Sequence, residues 1–180
     1  MNIIVGLGNP GDVYRQTRHN AGFEIIDNLT EVMSCPQFSL KKQMKAEVTK
    51  INQTIFVKPQ TFMNGSGFAV KAVADYFIEN GDDKYKNLYV IHDDLDISLG
   101  NFKIKYGSGP IAHNGLMSIY QHLGTKNFWH VRVGIDTRDG ERNIEPQTYV
   151  LQKFTLSDAD KFNTVKTEVV KQLMNIVKLS

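Results

Sequence analysis

The order of hydrophobic and polar positions along the chain predicts strands and helices in alternation. Continuous apolar runs at residues 3–5 and 88–91 are typical of strands that are covered on both faces. Apolar residues at helical spacing predict amphipathic helices over residues 21–33 and 69–77. The other predicted elements are a hairpin with strands at 46–51 and 54–58, alternating strands at 102–106 and 129–135, and a helix that residues 113–115 open and that runs to Leu123. A charged turn at 138–142, a short apolar segment at 149–151 and a long final helix complete the prediction.

This alternation, interrupted by the hairpin, predicts the fold class α/β. We expect a single-domain three-layer sandwich with a mixed central β-sheet and helices on both faces. Residues 1–180 are taken as one domain, because the length suits a single core and no linker, repeat or low-complexity tract interrupts the pattern.

The predicted helix ends carry capping signals. Asn20 is a candidate N-cap for the first helix, and Asn64 or Ser66 is a candidate for the second. Gly124 stands in the C′ position that ends the third helix. Residues 157–160 (SDAD) resemble a capping box at the start of the last helix.

The composition is that of an ordinary soluble globular protein, with 41% hydrophobic and 22% charged residues. No apolar run approaches the length of a membrane span, and the N-terminus leads straight into a strand pattern rather than a signal peptide. The single cysteine, Cys35, excludes an internal disulfide and fits a reducing compartment, so we expect a cytoplasmic protein. A net charge of +2 is too small to indicate a nucleic-acid partner by itself.

Polar side chains with catalytic potential follow the predicted buried strands. Asn9 and His19 come after the first strand, Asn64 after the hairpin, Asp93 after the next strand, and Asn114 opens the third helix. If they converge, histidine is the natural general base near neutral pH, and a carboxylate on its other ring nitrogen would fix its tautomer. Carboxamides can donate to a developing oxyanion. No serine or cysteine stands out as a nucleophile, so the chemistry indicated is ester or amide hydrolysis by activated water.

Two other kinds of site remain open from the residues alone. The glycines of residues 6–11 (GLGNPG) match the spacing of the dinucleotide fingerprint, which would make the protein a nucleotide-dependent enzyme. Against this, Pro10 removes a backbone donor inside the turn, and no helix is predicted to begin there. Alternatively, residues 92–96 (HDDLD) could hold Mg²⁺ for phosphoryl chemistry, although a compact acidic segment is more often a turn.

Four linked motifs resemble those of bacterial peptidyl-tRNA hydrolase. The first is formed by residues 5–11 (VGLGNPG) together with residues 17–22 (TRHNAG). The others are residues 58–67 (KPQTFMNGSG), 92–96 (HDDLD) and 113–116 (HNGL). The match runs in order from residue 2 to about residue 155, and the combination is far more specific than any one motif.

The resemblance implies a hydrolase without cofactor or metal that cleaves the ester between a peptide and the 3′ ribose of tRNA. His19 would be the general base that acts on water, and Asp93 would stabilise its basic form. The partner would be peptidyl-tRNA, bound at its acceptor stem and 3′ end by a monomer with no obligate protein partner. A relative that kept RNA binding but lost catalysis would be expected to lack His19 or Asp93. His92 and His113 adjoin matched residues and are interpreted as structural or supporting side chains.

The resemblance also implies roles for amide and aromatic residues. Asn64 and Asn114 would bind the substrate near the scissile ester, and Tyr14 and Phe62 would contact the tRNA end. Asn9 matches the position that separates blocked from unblocked aminoacyl-tRNA. A neutral carboxamide can pair with a peptide amide, whereas a free α-ammonium would lose hydration without gaining a counter-charge.

One face of the predicted strand at 102–106 is basic. Lys103 and Lys105 lie on it and Arg132 extends it, so all three are candidates for acceptor-stem phosphate contacts that do not read sequence. The alternative is that the lysines only protect a sheet edge from pairing. A second basic stretch, with lysines at positions 41, 42 and 45, is interpreted as a solvated surface.

The chain departs from the family at residues 109–112 (GPIA), where the family has a glycine-rich run. Pro110 and Ile111 should make this loop stiffer than a run of glycines. If the loop covers the peptide, the entrance to the site should differ as well. The chain also ends slightly early for the family, so a tRNA-contacting tail could be shortened.

Overall fold

The computed structural model describes residues 1–78, 81, 84–138 and 144–176. The strands are β1 Asn2–Gly6, β2 Ser39–Lys41, β3 Ala46–Ile51, β4 Thr54–Pro59, β5 Leu88–Ser98, β6 Phe102–Tyr106 and β7 Trp129–Asp136. The α-helices are α1 Ala21–Val32, α2 Ser66–Phe77, α3 Asn114–Leu123, α4 Pro146–Leu151 and α5 Leu156–Ile176. Within these ranges, no helix combines the length and the apolar character needed to cross a membrane.

The strands form one mixed seven-stranded sheet in the order β2-β3-β4-β1-β5-β7-β6. β1 lies in the middle, parallel to β4 on one side and to β5 on the other, and β5 is parallel to β7. The antiparallel pairs are β2 with β3, β3 with β4, and β6 with β7. The predicted hairpin is therefore confirmed, and its second strand joins the parallel centre of the sheet.

Helices cover both faces of the sheet. Ile4 of β1 belongs to a hydrophobic cluster with α1 and α5, whereas Ile3 and Val5 belong to a second cluster with α2 and α3. Successive side chains of a strand point to opposite faces, so a continuous apolar run supplies both clusters. The predicted α/β sandwich of three layers with a mixed sheet is confirmed.

The strand predicted at 88–91 is longer than expected. It continues to Ser98 as β5, so Asp93 and Asp94 lie inside the strand instead of in a loop after it. β7 pairs alongside both residues, and this pairing extends the strand through polar positions that resembled a strand end. The catalytic carboxylate candidate is therefore held by the sheet itself.

Two smaller elements also differ from the sequence predictions. The lysine stretch contains the edge strand β2, followed by a 3-10 turn at Lys42–Met44. The apolar segment at 149–151 forms the end of α4, which begins with Pro146 in its first turn. Of the charged turn predicted at 138–142, Arg138 lies within the described residues and the rest lies outside them.

The helix ends confirm one capping prediction and correct the others. Gly124 ends α3 in a left-handed conformation with φ 70°. Asn20 does not cap α1, because its side chain binds the backbone of Asn9. No side-chain cap bond forms at the start of α2. At the start of α5, Thr155 Oγ1 accepts from the N–H of Asp158 at 3.2 Å, so the cap lies two residues before the predicted one.

Candidate active site

His19 lies in the 3-10 turn that precedes α1. Two glycines let α1 approach the sheet closely enough to place this turn at the end of β1, because a Cβ atom on Gly6 or Gly22 would collide with the opposite backbone. Arg18 holds the turn from the other side, where its Nη2 donates to Asp158 Oδ2 at 3.1 Å. The turn is therefore fixed between the sheet and α5.

Asp93 is the centre of the site. His19 Nδ1 donates to Asp93 Oδ1 at 2.7 Å, and His113 Nε2 donates to the same oxygen at 3.0 Å. The other nitrogen of His113 fixes these roles, because its Nδ1 accepts from the backbone N–H groups of Gly115 and Leu116 at the start of α3. A neutral His113 therefore carries its proton on Nε2 and donates it to Asp93.

The two imidazoles are not equivalent. Both ring nitrogens of His113 have partners, whereas among the described residues His19 has a partner, Asp93, at Nδ1 alone. Because a carboxylate only accepts, the neutral His19 ring carries its proton on Nδ1 and keeps a lone pair on Nε2. His19 is thus the histidine of this pair that is able to take a proton from a substrate or a water molecule.

Charge and burial act against each other at the pair. Burial alone would lower the pKa of His19, but the charge of Asp93 and the hydrogen bond to it outweigh burial and raise that pKa above its ordinary value. Burial alone would raise the pKa of Asp93, but the charges and hydrogen bonds of His19 and His113 hold it well below its usual range. Asp93 is therefore ionised, and His19 is more basic than a free imidazole.

The same three side chains bring ligand atoms within 4.8 Å of one another, a spacing that a metal ion could use. However, the ligand atoms of these three residues do not suit a metal ion. A metal on His113 Nε2 would require an imidazolate, since His113 Nδ1 already accepts two backbone N–H groups. The Mg²⁺ ligands suggested by the sequence are not assembled either, because the carboxylate of Asp94 pairs with Arg132 Nε at 2.7 Å.

Asn9 is held so that its amide nitrogen is available. Its Oδ1 accepts from the N–H of Met63 at 2.8 Å, which fixes the orientation of the carboxamide. Its backbone N–H donates to Asn20 Oδ1 at 2.8 Å, and Asn20 Nδ2 donates back to the carbonyl of Asn9 at 2.9 Å. Within the part of the chain that the structure describes, the Nδ2 group of Asn9 has no partner and can donate to a ligand.

Asn64 and Asn114 are both exposed and stand at the starts of α2 and α3. Asn114 lies in the same cavity as His19, whereas Asn64 does not line that cavity. The two turns are in contact, because Met63 packs so closely against Gly115 that a Cβ atom there would lie 2.6 Å from the methionine sulfur. The structure therefore brings Asn114 to the His19 site and keeps Asn64 on a neighbouring surface.

A cavity of about 310 Å³ opens beside His19 and Asp93. Its apolar part is lined by Leu95, Pro110, Ala112, Ile144, Pro146 and Val150. Arg138 also faces it, with its Nε donating to Asp136 Oδ1 at 2.6 Å. The cavity can bury an apolar or amide-bearing group next to the free nitrogen of His19.

Tyr14 and Phe62, expected at the tRNA end, are brought together. Their ring centroids lie 6.1 Å apart in an edge-to-face arrangement, and Phe62 is 59% exposed. Phe62 directly precedes Met63, which binds Asn9. The aromatic pair therefore adjoins Asn9, which lines a second cavity and not the one beside His19 and Asp93.

The predicted basic face lies on the edge strand β6. Lys103 and Lys105 are exposed there. β7 separates them from Asp93 on β5. Arg132 on β7 is opposite Lys103, but its guanidinium is largely occupied by the buried Asp94.

The nucleotide alternative is not supported by the local structure. The glycine motif is followed by the 3-10 turn Asp12–Tyr14, and α1 begins only at Ala21. Gly8 serves packing, because a Cβ atom there would lie 2.6 Å from the ring of Phe23. The glycine turn does not itself open a helix as a pyrophosphate site would need, because residues 12–20 separate it from α1.

Sequence reasoning did not predict the contacts of two residues. His113 was expected to be a structural or supporting residue and has that role, but the only signal for its bond to Asp93 was its place before a helix. Arg18 was not singled out, although it is buried and its guanidinium carbon lies 4.3 Å from the ring centroid of Tyr149. Arg18 lies inside the motif that contains His19, and its structural role is hard to recognise from the sequence because its partner Asp158 is far away along the chain.

Fold and site together define a class of protein. A buried imidazole–carboxylate pair beside a cavity with carboxamides, placed at one end of a mixed α/β sheet, is typical of a hydrolase that activates water. Comparison with known proteins then gives the family. The family model described as peptidyl-tRNA hydrolase matches residues 3–180, and the chain belongs to the peptidyl-tRNA hydrolase family.

Individual relatives agree. A peptidyl-tRNA hydrolase of Corynebacterium efficiens is 39% identical over 158 residues, which cover 88% of this chain and 85% of the relative. One from Campylobacter lari is 38% identical over 178 residues, covering 99% and 92%. The crystal structure of peptidyl-tRNA hydrolase from Acinetobacter baumannii superimposes with a TM-score of 0.86 at 27% identity and covers 99% of this chain and 89% of that one. The chain is accordingly a hydrolase with this fold.

Proposed function

We propose that this chain hydrolyses the ester between the peptide and the 3′ ribose of peptidyl-tRNA, with His19 as the general base on water. The observation that carries the mechanism is the hydrogen bond of 2.7 Å from His19 Nδ1 to Asp93 Oδ1, which leaves Nε2 free beside the cavity. Membership of the family supports peptidyl-tRNA as the substrate.

In the proposed reaction, Nε2 of His19 takes a proton from water as the water oxygen attacks the ester carbonyl carbon. Asp93 stabilises the imidazolium that forms. The bond between that carbon and the ribose 3′ oxygen then breaks, and the imidazolium returns its proton to the departing oxygen. The products are a peptide with a free carboxyl group and tRNA with a free 3′ hydroxyl, so no cofactor is consumed.

Asn114 and Asn9 supply the neutral donors of this proposal. Asn114 borders the cavity next to His19, where its amide can donate to the carbonyl oxygen as negative charge develops. Asn9 presents a fixed N–H donor that suits a peptide carbonyl but gives no counter-charge to a free α-ammonium. The enzyme therefore selects substrate whose amino group is blocked, because binding of the substrate with a free α-ammonium is unfavourable. Asn64 would act from the neighbouring surface, on the tRNA side.

The tRNA side of the proposal uses the exposed residues. Tyr14 and Phe62 would contact the 3′ end, and Lys103 and Lys105 would contact phosphates of the acceptor stem without reading sequence. Arg132 would add a weaker contact with phosphate, since its guanidinium group is already paired with the carboxylate of Asp94. We further propose that residues 1–180 act as one domain, as a monomer in the cytoplasm, where translation supplies the substrate.

The test compares acyl release from N-acetyl-aminoacyl-tRNA with release from the same tRNA carrying a free amine, both in EDTA. We expect cleavage of only the blocked substrate and its loss in His19→Ala. His122→Ala, which removes an exposed histidine of α3, is the matched control and should keep full activity. EDTA-sensitive cleavage would move the chemistry to a metal site, and binding of tRNA without cleavage would indicate an RNA-binding protein.

A further inference from the structure

The cavity beside His19 carries an excess of negative charge. Among the described residues that line it, four are acidic and one, Arg138, has a permanent positive charge. Two of the four carboxylates already have partners, because Asp93 binds the histidines of the site and Asp94 pairs with Arg132. The other two are left to act on whatever enters the cavity.

These two carboxylates are Asp96 and Glu145. Both side chains line the cavity and are exposed, so they stand at its rim. Within the part of the chain that the structure describes, neither side chain forms a hydrogen bond or an ion pair. Glu145 directly precedes α4 but does not cap it through its side chain. The charges of both residues are therefore available to a ligand.

Arg138 does not offset these charges. Its Nε donates to Asp136 Oδ1 at 2.6 Å, and its guanidinium carbon lies 4.8 Å from the ring centroid of Tyr149. The hydrogen bond and the charge of Asp136, with a smaller contribution from Asp96, raise the pKa of Arg138 above its ordinary value. Residues 139–143, outside the described part of the chain, contain two acidic residues and one basic residue in the sequence. The guanidinium is therefore already paired within the wall of the cavity.

Charge and lining together indicate which part of the substrate the cavity suits. An anionic cavity repels the phosphates of RNA, so the group that enters it belongs to the peptide. The apolar lining suits methylene groups, whereas exposed carboxylates at the rim suit a cationic end that stays hydrated. Lysine and arginine side chains combine these two features, and about 310 Å³ is room for one small group.

We propose that this cavity selects the side chain of the residue that is esterified to the tRNA. It favours lysine and arginine and disfavours aspartate and glutamate, and Asp96 and Glu145 determine this preference. The Cα atom of the esterified residue is bonded to the carbonyl carbon that water attacks beside His19, so its side chain is close to the cavity. This inference rests on the function proposed above and names the class of peptide that is cleaved fastest.

The experiment compares substrates that differ in charge and share one tRNA, so every RNA contact cancels in the ratio of their kcat/KM values. N-acetyl-glutamine and N-acetyl-glutamate form one pair, and N-acetyl-lysine and N-acetyl-norleucine form the other. We expect glutamine to exceed glutamate by about 2-fold to 25-fold at low salt, because each exposed carboxylate contributes about 1.4-fold to 5-fold. Screening should reduce this ratio at high salt.

The double variant Asp96→Asn/Glu145→Gln should bring the ratio of glutamine to glutamate to about 1. It should also lower the value for lysine relative to norleucine by a similar factor. Glu145→Lys should reduce the ratio of glutamine to glutamate further than Glu145→Gln does, because it reverses the charge at the rim. Asp160→Asn, which removes an exposed carboxylate outside the cavity, is the matched control and should keep the ratios of the wild type.

Equal kcat/KM values for glutamine and glutamate in the wild type, or a ratio that the double variant does not change, would overturn the selectivity. Cleavage itself would still uphold the proposed function. Faster cleavage of the glutamate ester would assign the side chain to Arg138 and would also overturn the inference. Failure to cleave any of the four substrates would instead reject the proposed function, on which the inference rests.

Discussion

At the scale of single residues, the site depends on one atom, Oδ1 of Asp93. It accepts from His19 and His113 at once, and this double acceptance fixes the tautomers of both rings. The backbone N–H groups at the start of α3 occupy the second nitrogen of His113. His19 and His113 therefore have different roles because their hydrogen bonds differ, although both are histidines.

Asp93→Asn tests this arrangement. We expect kcat to fall by about 10²–10⁴-fold, because an amide neither stabilises the imidazolium nor enforces the tautomer of His19. The pH profile adds a second readout. His19 must be neutral to act, and Asp93 raises the pKa of His19 above 6.5, so kcat/KM of the wild type should rise with pH through a midpoint above 6.5. In Asp93→Asn that midpoint should move to lower pH.

Asp160→Asn, an exposed carboxylate on α5, is the control and should change neither kcat nor the midpoint. An unchanged midpoint in Asp93→Asn would show that Asp93 does not set the basicity of His19.

Gly109 packs tightly against its surroundings in the loop at 107–113. A Cβ atom on it would lie 2.5 Å from His130 Nδ1 and 2.6 Å from Tyr120 Oη. We expect Gly109→Ala to destabilise the fold by about 1–3 kcal/mol and to lower kcat/KM, because the loop also carries Pro110 into the cavity. Gly81→Ala has open space at its Cβ and should change neither thermal unfolding nor activity.

At the scale of elements, β5 links the catalytic pair to the edge of the sheet that carries the lysines. Asp93 binds His19, whereas the next residue, Asp94, is buried and binds Arg132 on β7. Adjacent residues of a strand point to opposite faces, so one strand supports the catalytic residue and the basic side of the molecule together. β6 then presents Lys103 and Lys105 beyond this pair.

Arg132→Gln should act mainly through this ion pair. The carboxylate of Asp94 is 0% exposed, so removing its partner should cost about 3–5 kcal/mol in urea unfolding. Adding Asp94→Asn should recover much of that loss. Lys103→Ala should leave stability unchanged and reduce the salt slope of tRNA binding by about 1. If Arg132→Gln reduced the salt slope without loss of stability, Arg132 would instead be a phosphate contact.

At the scale of the whole molecule, four of the five histidines form one row through the interior. Ring centroids lie 5.0 Å apart for His19 and His113, 5.3 Å for His113 and His92, and 5.9 Å for His92 and His130. Burial lowers the pKa of His92 well below 6.5 and lowers the pKa of His130 to about 4. The far end of the row is therefore kept neutral while His19 is made more basic.

Acid should therefore destabilise the fold. Between pH 6.5 and about 4, His130 is protonated in the unfolded chain but remains neutral in the folded protein. Its contribution to the free energy of unfolding is therefore fully present above pH 6.5 and is lost as pH falls through this window. His19 acts in the opposite direction, because its raised pKa adds stability that disappears as pH rises. We expect the unfolding free energy in urea to drop between about pH 7 and about pH 5.

His130→Gln should make this drop smaller, whereas His122→Gln, which changes an exposed histidine, should leave it unchanged. A drop that is the same in His130→Gln as in the wild type would place the acid sensitivity elsewhere.

Sequence patterns predicted the layers well and the site incompletely. The periodicity of hydrophobic residues predicted β1, α1 and the hairpin, because an element that is buried on one or two faces shows a regular pattern of apolar residues close together in the sequence. The motifs pointed to His19 and Asp93, which the structure places in contact. The same local patterns misplaced the end of β5 and three caps, because strand pairing and competing hydrogen bonds decide those ends.

The sequence by itself determined the α/β sandwich, the resemblance to peptidyl-tRNA hydrolases and the residue types available for hydrolysis. Only the tertiary structure decided how those residues are used. His19 and Asp93 are 74 positions apart, and their contact depends on β1 and β5 pairing in parallel. Arg132 binds Asp94 and Lys45 contacts Phe68, and both are likewise long-range contacts. Local periodicity cannot predict them, because it indicates which positions are buried and not which residues they contact.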